Sequence, residues 1–365
     1  MISVVIPTYN EAVVIEEALQ RAAAALRTTG EDFELIVVDD ASADGTAARA
    51  AALAPQVPVR VVRRPGKLGL ATAVMDGWAA ARGDVLGVMD GDLQHPPEVL
   101  AALVQALHRE DVDLAIASRY VPGGGSYDWI WVRRFISRTA HHMAATVLPL
   151  KVAGVGDTGS GLFMVRAAAV RNVNLKPLGF KVLLEVLAKA HVRSLVELPY
   201  TFQKRPRGTS KASAVQFLAY LVHLARLAWE TGQVRAWLRY GLVALAGAGI
   251  DVLLFKALVG KAAWPPALAL PVAIQTALLS NFIWSEVFTF RSSGLKAFGQ
   301  GALRRLRRYE GICLPGAFLN FLATMAAMAL GVNILMAAGA GVVTGGVWNF
   351  ALNVPAIWRT WRKPA

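Results

Sequence analysis

The sequence contains a single cysteine, Cys313, and it falls in an apolar run. One thiol excludes an intrachain disulfide and leaves the redox compartment open. Acidic residues are also scarce, 25 against 38 Lys and Arg, so the net charge is +13 although charged residues make up only 17% of the 365. No DNA- or RNA-binding signature accompanies that charge, and no nucleic acid is expected as a partner. The opening residues 1–7 lack a basic stretch and are too short an apolar run for a signal peptide. They read as a first strand, and the front half is expected to stay in the cytoplasm. What is abundant is apolar sequence. A hydrophobic content of 55% and a mean hydropathy of +0.44 exceed what a soluble enzyme of this length carries. Part of the chain belongs in lipid.

Up to about Phe202, short β-branched runs alternate with Ala-rich helical stretches. The runs at 2–7, 35–38, 57–62, 85–89 and 114–117 are continuously apolar, the pattern of parallel strands buried on both faces. An α/β domain with a parallel sheet covered by right-handed crossovers is the expected fold of 1–211.

Beyond Tyr240 the texture changes to stretches of about 20 apolar residues, enough to cross a bilayer. Four transmembrane helices are expected, at 241–259, 267–285, 311–330 and 334–352, in a domain covering 240–365. Arg291, Lys296, Arg304, Arg305, Arg307 and Arg308 fall in the link between the second and third spans, and Arg359, Arg362 and Lys363 in the tail. The bias of Lys and Arg toward the inner face places both links, both termini and the α/β half in the cytoplasm, with the spans in the plasma (inner) membrane. The same half repeats itself: Tyr240, Gly247, Asp251, Asn281, Phe282 and Arg291 have counterparts at a near-constant offset in Tyr309, Gly316, Asn320, Asn349, Phe350 and Arg359. A duplicated helical hairpin gives such a pattern, as does chance in apolar sequence. Asp251 falls inside the first span, where an ionisable group is costly and marks a functional site. Between the halves, 212–239 carries apolar residues interspersed with His223, Arg226 and Glu230, and 129–148 opens with Trp129 and Trp131. Each reads as a helix lying in the membrane interface, or as one packed on the sheet.

Chemistry concentrates at strand ends. Asp90-Gly91-Asp92 closes the fourth run, at the edge where a parallel sheet presents ligands, and Gln94, His95, Pro96 and Pro97 follow. Strand alternation puts the two carboxylates on one side. Two hard oxygen donors suit Mg²⁺ or Mn²⁺ shared with substrate phosphates. Pro7-Thr8-Tyr9-Asn10-Glu11 and Asp39-Asp40-Ala41-Ser42 follow the first and second runs. Tyr9 can stack on a base or ribose, and Asp39 can accept from a base N–H or a ribose hydroxyl, while Asn10 and Ser42 also suit helix N-caps. Gly66-Lys67-Leu68-Gly69 supplies a basic turn near the same edge. Arg133 and Ser137 are one helical turn apart and can donate to one phosphate, or Arg133, Arg134 and Arg138 can meet anionic lipid heads. Lys181 and Glu185 read as an exposed helix pair.

The stretches PTYNE, VVDDASADGT, GKLGLATAV and DGDLQHPPE together resemble the dolichyl-phosphate mannose synthase group of family 2 glycosyltransferases, in the expected order over roughly the first 215 residues. The back half, with Asn281-Phe282-Ile283-Trp284 and Asn349-Phe350, resembles the GtrA-like four-helix domain fused to some of these synthases. The resemblance implies a GT-A fold and nucleotide-sugar contacts from Pro7, Tyr9, Glu11, Asp39, Asp40, Lys67, Asp90, Gly91 and Asp92. It implies metal ligation by Asp90, Asp92 and Gln94, and a lipid-phosphate site at Arg119, Arg133 and Ser137. Asp157-Thr158-Gly159-Ser160-Gly161 resembles the family's Asp-x-x-Ser-Gly element, with Asp157 orienting sugar or acceptor. The run 205–211 resembles its basic loop, in which Arg205 and Lys211 would close over a pyrophosphate. Gly91 stands where the family usually has Ala or Ser, and Ala71 where it has Gly. The implied reaction is inverting transfer of mannose from GDP-mannose to a dolichyl or undecaprenyl phosphate. Transfer from UDP-glucose or a UDP-amino sugar is the alternative, and a lipid-carrier flippase or binding protein is the reading of another class. A processive polysaccharide synthase fits less well, because Gln-x-x-Arg-Trp is missing.

Overall fold

The computed structural model of the chain describes residues 1–109, 111–127, 131–152, 154–204, 214–289 and 301–357. The chain divides into two compact units, the first including Met1–Leu227 and the second Ala228–Thr360.

The first unit runs β1 (Ile2–Thr8), α1 (Ile15–Arg27), β2 (Phe33–Asp39), α2 (Thr46–Ala52), β3 (Val59–Arg63), α3 (Leu70–Ala80), β4 (Val85–Val88), α4 (Val99–Leu107) and β5 (Leu114–Ser118). It continues through β6 (Gly125–Ser126), α5 (Trp131–Val147), α6 (Pro149–Val152), β7 (Phe163–Arg166), α7 (Ala167–Val170), α8 (Val182–Lys189), β8 (Leu195–Pro199), β9 (Thr201–Phe202) and α9 (Ala214–Glu230). Seven strands form one sheet in the order β3-β2-β1-β4-β7-β5-β8, and β6 pairs with β9. Alternate residues sort to two faces, as a two-residue period requires. Ile2, Val4 and Ile6 pack with Ile15, Leu19 and Leu26 of α1 and Leu100 and Leu103 of α4. Val5, Ile36 and Val38 pack with Ala73 of α3. Gly77 lets α3 approach closely, since a Cβ there would overlap Val5 Cγ1.

The sheet is mixed, which corrects the all-parallel expectation. β7 runs antiparallel between β4 and β5, with Val88 opposite Phe163 and Ile116 opposite the same residue. A four-residue strand buried on both sides carries no mark of its direction. β3 is an edge strand and only half-buried, and Val57 lies outside it. Because β1 lies between β2 and β4, strand order reverses there, and the carboxyl ends of these strands open a crevice.

The second unit holds α10 (Gln233–Gly260), α11 (Pro266–Trp284), a π turn at Ser285–Thr289, α12 (Ala302–Ala329) and α13 (Ile334–Ile357). Among the described residues three segments, Gln233–Gly260, Pro266–Phe288 and Ala302–Ala329, are long and apolar enough to cross a membrane, and α13 opens with the apolar stretch Ile334–Gly345. The helix of the first span starts at Gln233, ahead of the expected boundary at 240, because Gly232 takes a left-handed φ of 71° and breaks the chain after α9. The interfacial segment expected over 212–239 is therefore two helices. Arg304, Arg305, Arg307 and Arg308 fall on the first turns of α12 rather than in the link before it. Arg305 pairs there with the buried Glu286 at 2.8 Å. Trp129, Arg291, Lys296, Arg359, Arg362 and Lys363 lie outside the described residues. The repeat holds in three dimensions: a Cβ on Gly316 would meet Asn349 Oδ1 at 2.5 Å, and Gly247 packs still more tightly on Asn281.

Candidate active site

β1 and β2 end side by side, Thr8 opposite Asp39, and β4 ends beside β1 with Val88 opposite Val5. In each following loop one non-glycine residue takes a left-handed conformation: Asn10 at φ 56°, Ala41 at φ 58° and Leu93 at φ 60°. Such residues cost about 1–3 kcal/mol each and gather where surrounding structure holds them. Here the first two loops are laced together. Asn10 N donates to Ser42 Oγ at 2.9 Å, Ala43 N to Asn10 Oδ1 at 3.2 Å, and Ala12 N to Asp44 Oδ2 at 3.0 Å. Asn10 and Ser42 thus tie loop to loop and cap neither α1 nor α2, whose N-cap positions are Val14 and Gly45.

Pro7 is buried at the end of β1. Tyr9 follows, with Lys67 Nζ 4.1 Å from its ring centroid, so the first loop and the basic turn converge. Glu11 opens toward α1, its N–H donating to Thr46 Oγ1 at 2.9 Å. Asp39 is buried and accepts from Ser42 Oγ at 2.6 Å and Ser42 N at 3.0 Å. Asp40 holds the turn that carries Lys67: it accepts from Leu68 N and Gly69 N at 2.8 Å each, and from Arg64 Nη1 at 2.7 Å. Its carboxylate is a fastener for that loop.

β4 stops at Val88, so Asp90-Gly91-Asp92 forms a turn and strand alternation does not govern its carboxylates. Packing does. Asp90 is partly exposed, and its Oδ2 lies 3.2 Å from Nε2 of the buried His95. His95 stacks on Tyr200 at 5.4 Å and meets Phe202 edge-on at 5.1 Å. A Cβ on Gly161 would sit 2.6 Å from Asp90 Oδ2, so glycine is needed there. Asp92 Oδ1 accepts from Gln94 N at 3.1 Å. Gln94 donates Nε2 to Gln203 O at 3.3 Å, so its amide oxygen is the atom that could serve as a metal donor. Among the described residues no three His, Cys, Asp and Glu side chains gather as a metal cage. Two carboxylates and an amide oxygen are hard donors that fit Mg²⁺ or Mn²⁺ completed by substrate oxygens.

Arg119, directly after β5, forms a two-pronged ion pair with Asp157, Nε to Oδ2 and Nη2 to Oδ1, each 2.7 Å. Burial alone would raise the Asp157 carboxyl, but the Arg119 hydrogen bonds overcome it and hold it below the usual carboxylate range. Glu197 clamps the turn carrying Asp157, accepting from Gly156 N at 2.7 Å and Asp157 N at 3.0 Å. Ser137 on α5 accepts from Tyr120 Oη at 2.7 Å. Arg133 lies on the same helix with its side chain outside the described residues, and Arg205 and Lys211 are outside them altogether.

Two features were not foreseen. Lys181 and Glu185 are no exposed pair. Lys181 Nζ lies 4.4 Å from the Tyr220 ring centroid and 3.1 Å from where a Cβ on Gly159 would be. Burial pushes its ammonium down to about 8, aided by the charge of Arg119 and opposed by Asp157. Glu185 is fully buried and accepts from His223 Nε2 at 2.6 Å, Lys176 N at 2.9 Å, and Lys189 Nζ and Arg226 Nη2 at 3.0 Å each. Burial opposes its charge, but these donors hold the carboxyl down at about 2. His223 and Arg226 lie on α9, so they anchor that helix to α8. Nothing in the local sequence of either helix marks them as partners.

One cavity of about 720 Å³ joins these groups. Asp90 and Gln94 line it together with Arg119, Ser137 and Lys181 and with the apolar Ile136 and Phe217. Ile136, Phe180 and Phe217 are exposed, so the apolar part opens outward.

Residues 3–171 match the glycosyl transferase family 2 model, and 239–358 match the GtrA/DPMS transmembrane domain. This pairing defines a membrane-bound glycosyltransferase. A dolichol-phosphate mannosyltransferase of Pyrococcus furiosus is 37% identical over 98% of this chain and 99% of its own. One from Saccharomyces cerevisiae is 38% identical over 62% of this chain and 86% of its own, and the polyprenol monophosphomannose synthase of Mycolicibacterium smegmatis is 37% identical over 58% and 80%. The chain belongs to the dolichol-phosphate mannosyltransferase-like group of glycosyl transferase family 2.

Proposed function

We propose that the protein transfers mannose from GDP-mannose to a polyprenyl phosphate, with inversion at the anomeric carbon. The observation that carries this reading is the single cavity linking Asp90 and Gln94 to the cations Arg119 and Lys181 and then to exposed apolar side chains. The Asp90 carboxylate and Gln94 amide suit a metal-bound diphosphate, the cations a phosphate, and the exposed apolar side chains a prenyl chain. The names of the relatives support mannose and a polyprenyl phosphate as the pair.

In this mechanism Tyr9 and Asp39 hold the nucleoside, and Lys67 meets the diphosphate. Asp90, Asp92 and Gln94 would hold Mg²⁺ or Mn²⁺, which supplies charge neutralisation to the departing diphosphate. His95 fixes the direction of Asp90, and Gly161 leaves it room. Arg119, aimed by Asp157, and Lys181 hold the acceptor phosphate, with Ser137 beside them and Arg133 on the same helix. A phosphate oxygen attacks the anomeric carbon as the bond to the diphosphate breaks. The acceptor is anionic at neutral pH, so no general base is needed. Arg205 and Lys211 would close over the pyrophosphate. The exposed Leu218 and Val222 on α9, next to Phe217, suit contact with the bilayer. The bias of positive charge favours the inner face of the plasma membrane for the catalytic unit.

The test is a donor panel. Purified full-length protein with Mg²⁺ or Mn²⁺ and polyprenyl phosphate should form a mannolipid from GDP-mannose. Product from UDP-glucose or a UDP-amino sugar alone would replace the donor, and no product from any donor would reject the transferase reading.

A further inference from the structure

The second unit holds a partly open cavity of about 440 Å³, lined by residues of both repeated halves of its sequence. Asp251 and Asn320 are repeat counterparts and meet across it, Asn320 Nδ2 donating to Asp251 Oδ2 at 2.9 Å. Thr324 Oγ1 donates to Asn320 Oδ1 at 3.1 Å, which orients that amide with its nitrogen toward the carboxylate. Asn281 and Asn349, a second counterpart pair, line the same cavity. Each lies against the glycine one helical turn before Asp251 or Asn320, Gly247 or Gly316, where no side chain would fit.

Among the described residues, three side-chain oxygens in this cavity lack a protein donor: Asp251 Oδ1, Asn281 Oδ1 and Asn349 Oδ1. The Asp251 side chain is 4% exposed. A buried acceptor without a donor costs about 1–3 kcal/mol, and an unneutralised carboxylate at membrane depth costs more. Among the described residues lining the cavity there is no Lys, Arg or His to supply the opposite charge.

We propose that this cavity binds a monovalent metal cation, Na⁺ or K⁺, through Asp251 Oδ1 and the amide oxygens of Asn281 and Asn349. All three are hard oxygen donors, the kind such ions take. One carboxylate balances one positive charge, whereas a divalent ion would leave net charge in the hydrocarbon. The cavity exceeds the needs of a bare ion. Waters, at about 30 Å³ each, fill the remaining coordination and volume. Tyr240 and Tyr309, also counterparts, line the cavity. This site is independent of the transferase chemistry, and its test uses no activity.

The probe is the metal ion alone. Thermal unfolding of the full-length protein in detergent is followed as NaCl or KCl replaces choline chloride at fixed ionic strength. The melting temperature should rise with the logarithm of the metal-ion concentration, as binding to the folded state alone requires. Asp251→Asn should abolish the rise, and Asn281→Ala should raise the half-effective concentration tenfold or more. Identical melting in Na⁺, K⁺ and choline would overturn the proposal, and this result needs no variant. A rise that Asp251→Asn leaves intact would overturn it, as would one that follows acidification whatever the cation.

Discussion

Substituting Gly161 by alanine tests how the acidic turn is held. A Cβ at this position would lie 2.6 Å from Asp90 Oδ2 and 3.0 Å from His95 Nε2. Relief cannot come from His95, which is buried and held between Tyr200 and Phe202. Asp90 is partly exposed, so it is the group that moves. Restoring an ordinary contact near 3.5 Å requires a displacement of about 1 Å. A misplacement of that size at a reacting centre costs about 100-fold, equivalent to about 2.7 kcal/mol of barrier. Initial rates of mannolipid formation across a metal titration should show kcat/KM for GDP-mannose down about 100-fold and the half-saturating metal concentration raised. Gly91→Ala is the matched control, because the atoms nearest its methyl would be Ile6 Cγ2 and Thr8 Cγ2, at 3.2 Å each, and Ile15 Cδ1 at 3.8 Å. It should cost no more than about fivefold, because the methyl meets the ends of side chains and not the Asp90 carboxylate, and a shift of a few tenths of an ångström restores ordinary contact. If Gly161→Ala kept kcat/KM within about threefold of wild type, with an unchanged metal requirement, the reasoning about Asp90 would be wrong.

Other consequences follow from the first unit. Glu185→Ala takes the carboxylate away from the buried His223 and from Lys189 and Arg226, and should cost about 3–5 kcal/mol in denaturant unfolding, as breaking a buried charge cluster does. Because the Glu185 carboxyl is depressed from 4.5 to about 2, its stabilisation is present above pH 4.5 and is lost as pH falls toward 2. The acid limb of the stability curve should flatten in the variant. Asp40→Asn weakens the hold on Leu68 N and Gly69 N, so KM for GDP-mannose should rise about tenfold with acceptor KM unchanged. Ala41→Gly removes the strain of φ 58° at an exposed position and should raise stability by about 0.5–1 kcal/mol, net of the extra freedom of the unfolded chain. A lower melting temperature in that variant would deny the strain.

How much of this was legible in the sequence depended on the range of the interaction. The runs at 2–7 and 35–38 announced buried strands because their apolar character is local, and the motifs after them marked the crevice. Strand direction was not legible at β7, since Phe163–Arg166 reads alike either way and only its neighbours β4 and β5 settle it. Asp90 was visible, but its orientation comes from His95 and from the absence of a side chain on Gly161. Lys181 looked like a surface residue because its surroundings, Gly159 and Tyr220, come from distant parts of the chain. His223 and Arg226 suggested a polar face on an interfacial helix. Both turn inward to Glu185, which helical spacing alone cannot reveal. The membrane repeat was legible as matched letters, and the packing of Gly247 on Asn281 and Gly316 on Asn349 gives those letters a structural reason.

The central claim is that a lipid phosphate lies between Arg119 and Lys181 while the nucleotide-sugar occupies the far part of the same cavity. Steady-state kinetics of Lys181→Met, with each substrate varied in turn, addresses it most directly. A charge-assisted hydrogen bond contributes about 1.5–3 kcal/mol, so KM for polyprenyl phosphate should rise roughly 10- to 100-fold with KM for GDP-mannose within twofold of wild type. In the wild type the acceptor KM should also rise as pH passes about 8, where the free enzyme's Lys181 loses its proton, and Lys181→Arg should remove that rise. A variant whose acceptor KM is unchanged, or whose donor KM rises instead, would contradict this placement of the two substrates.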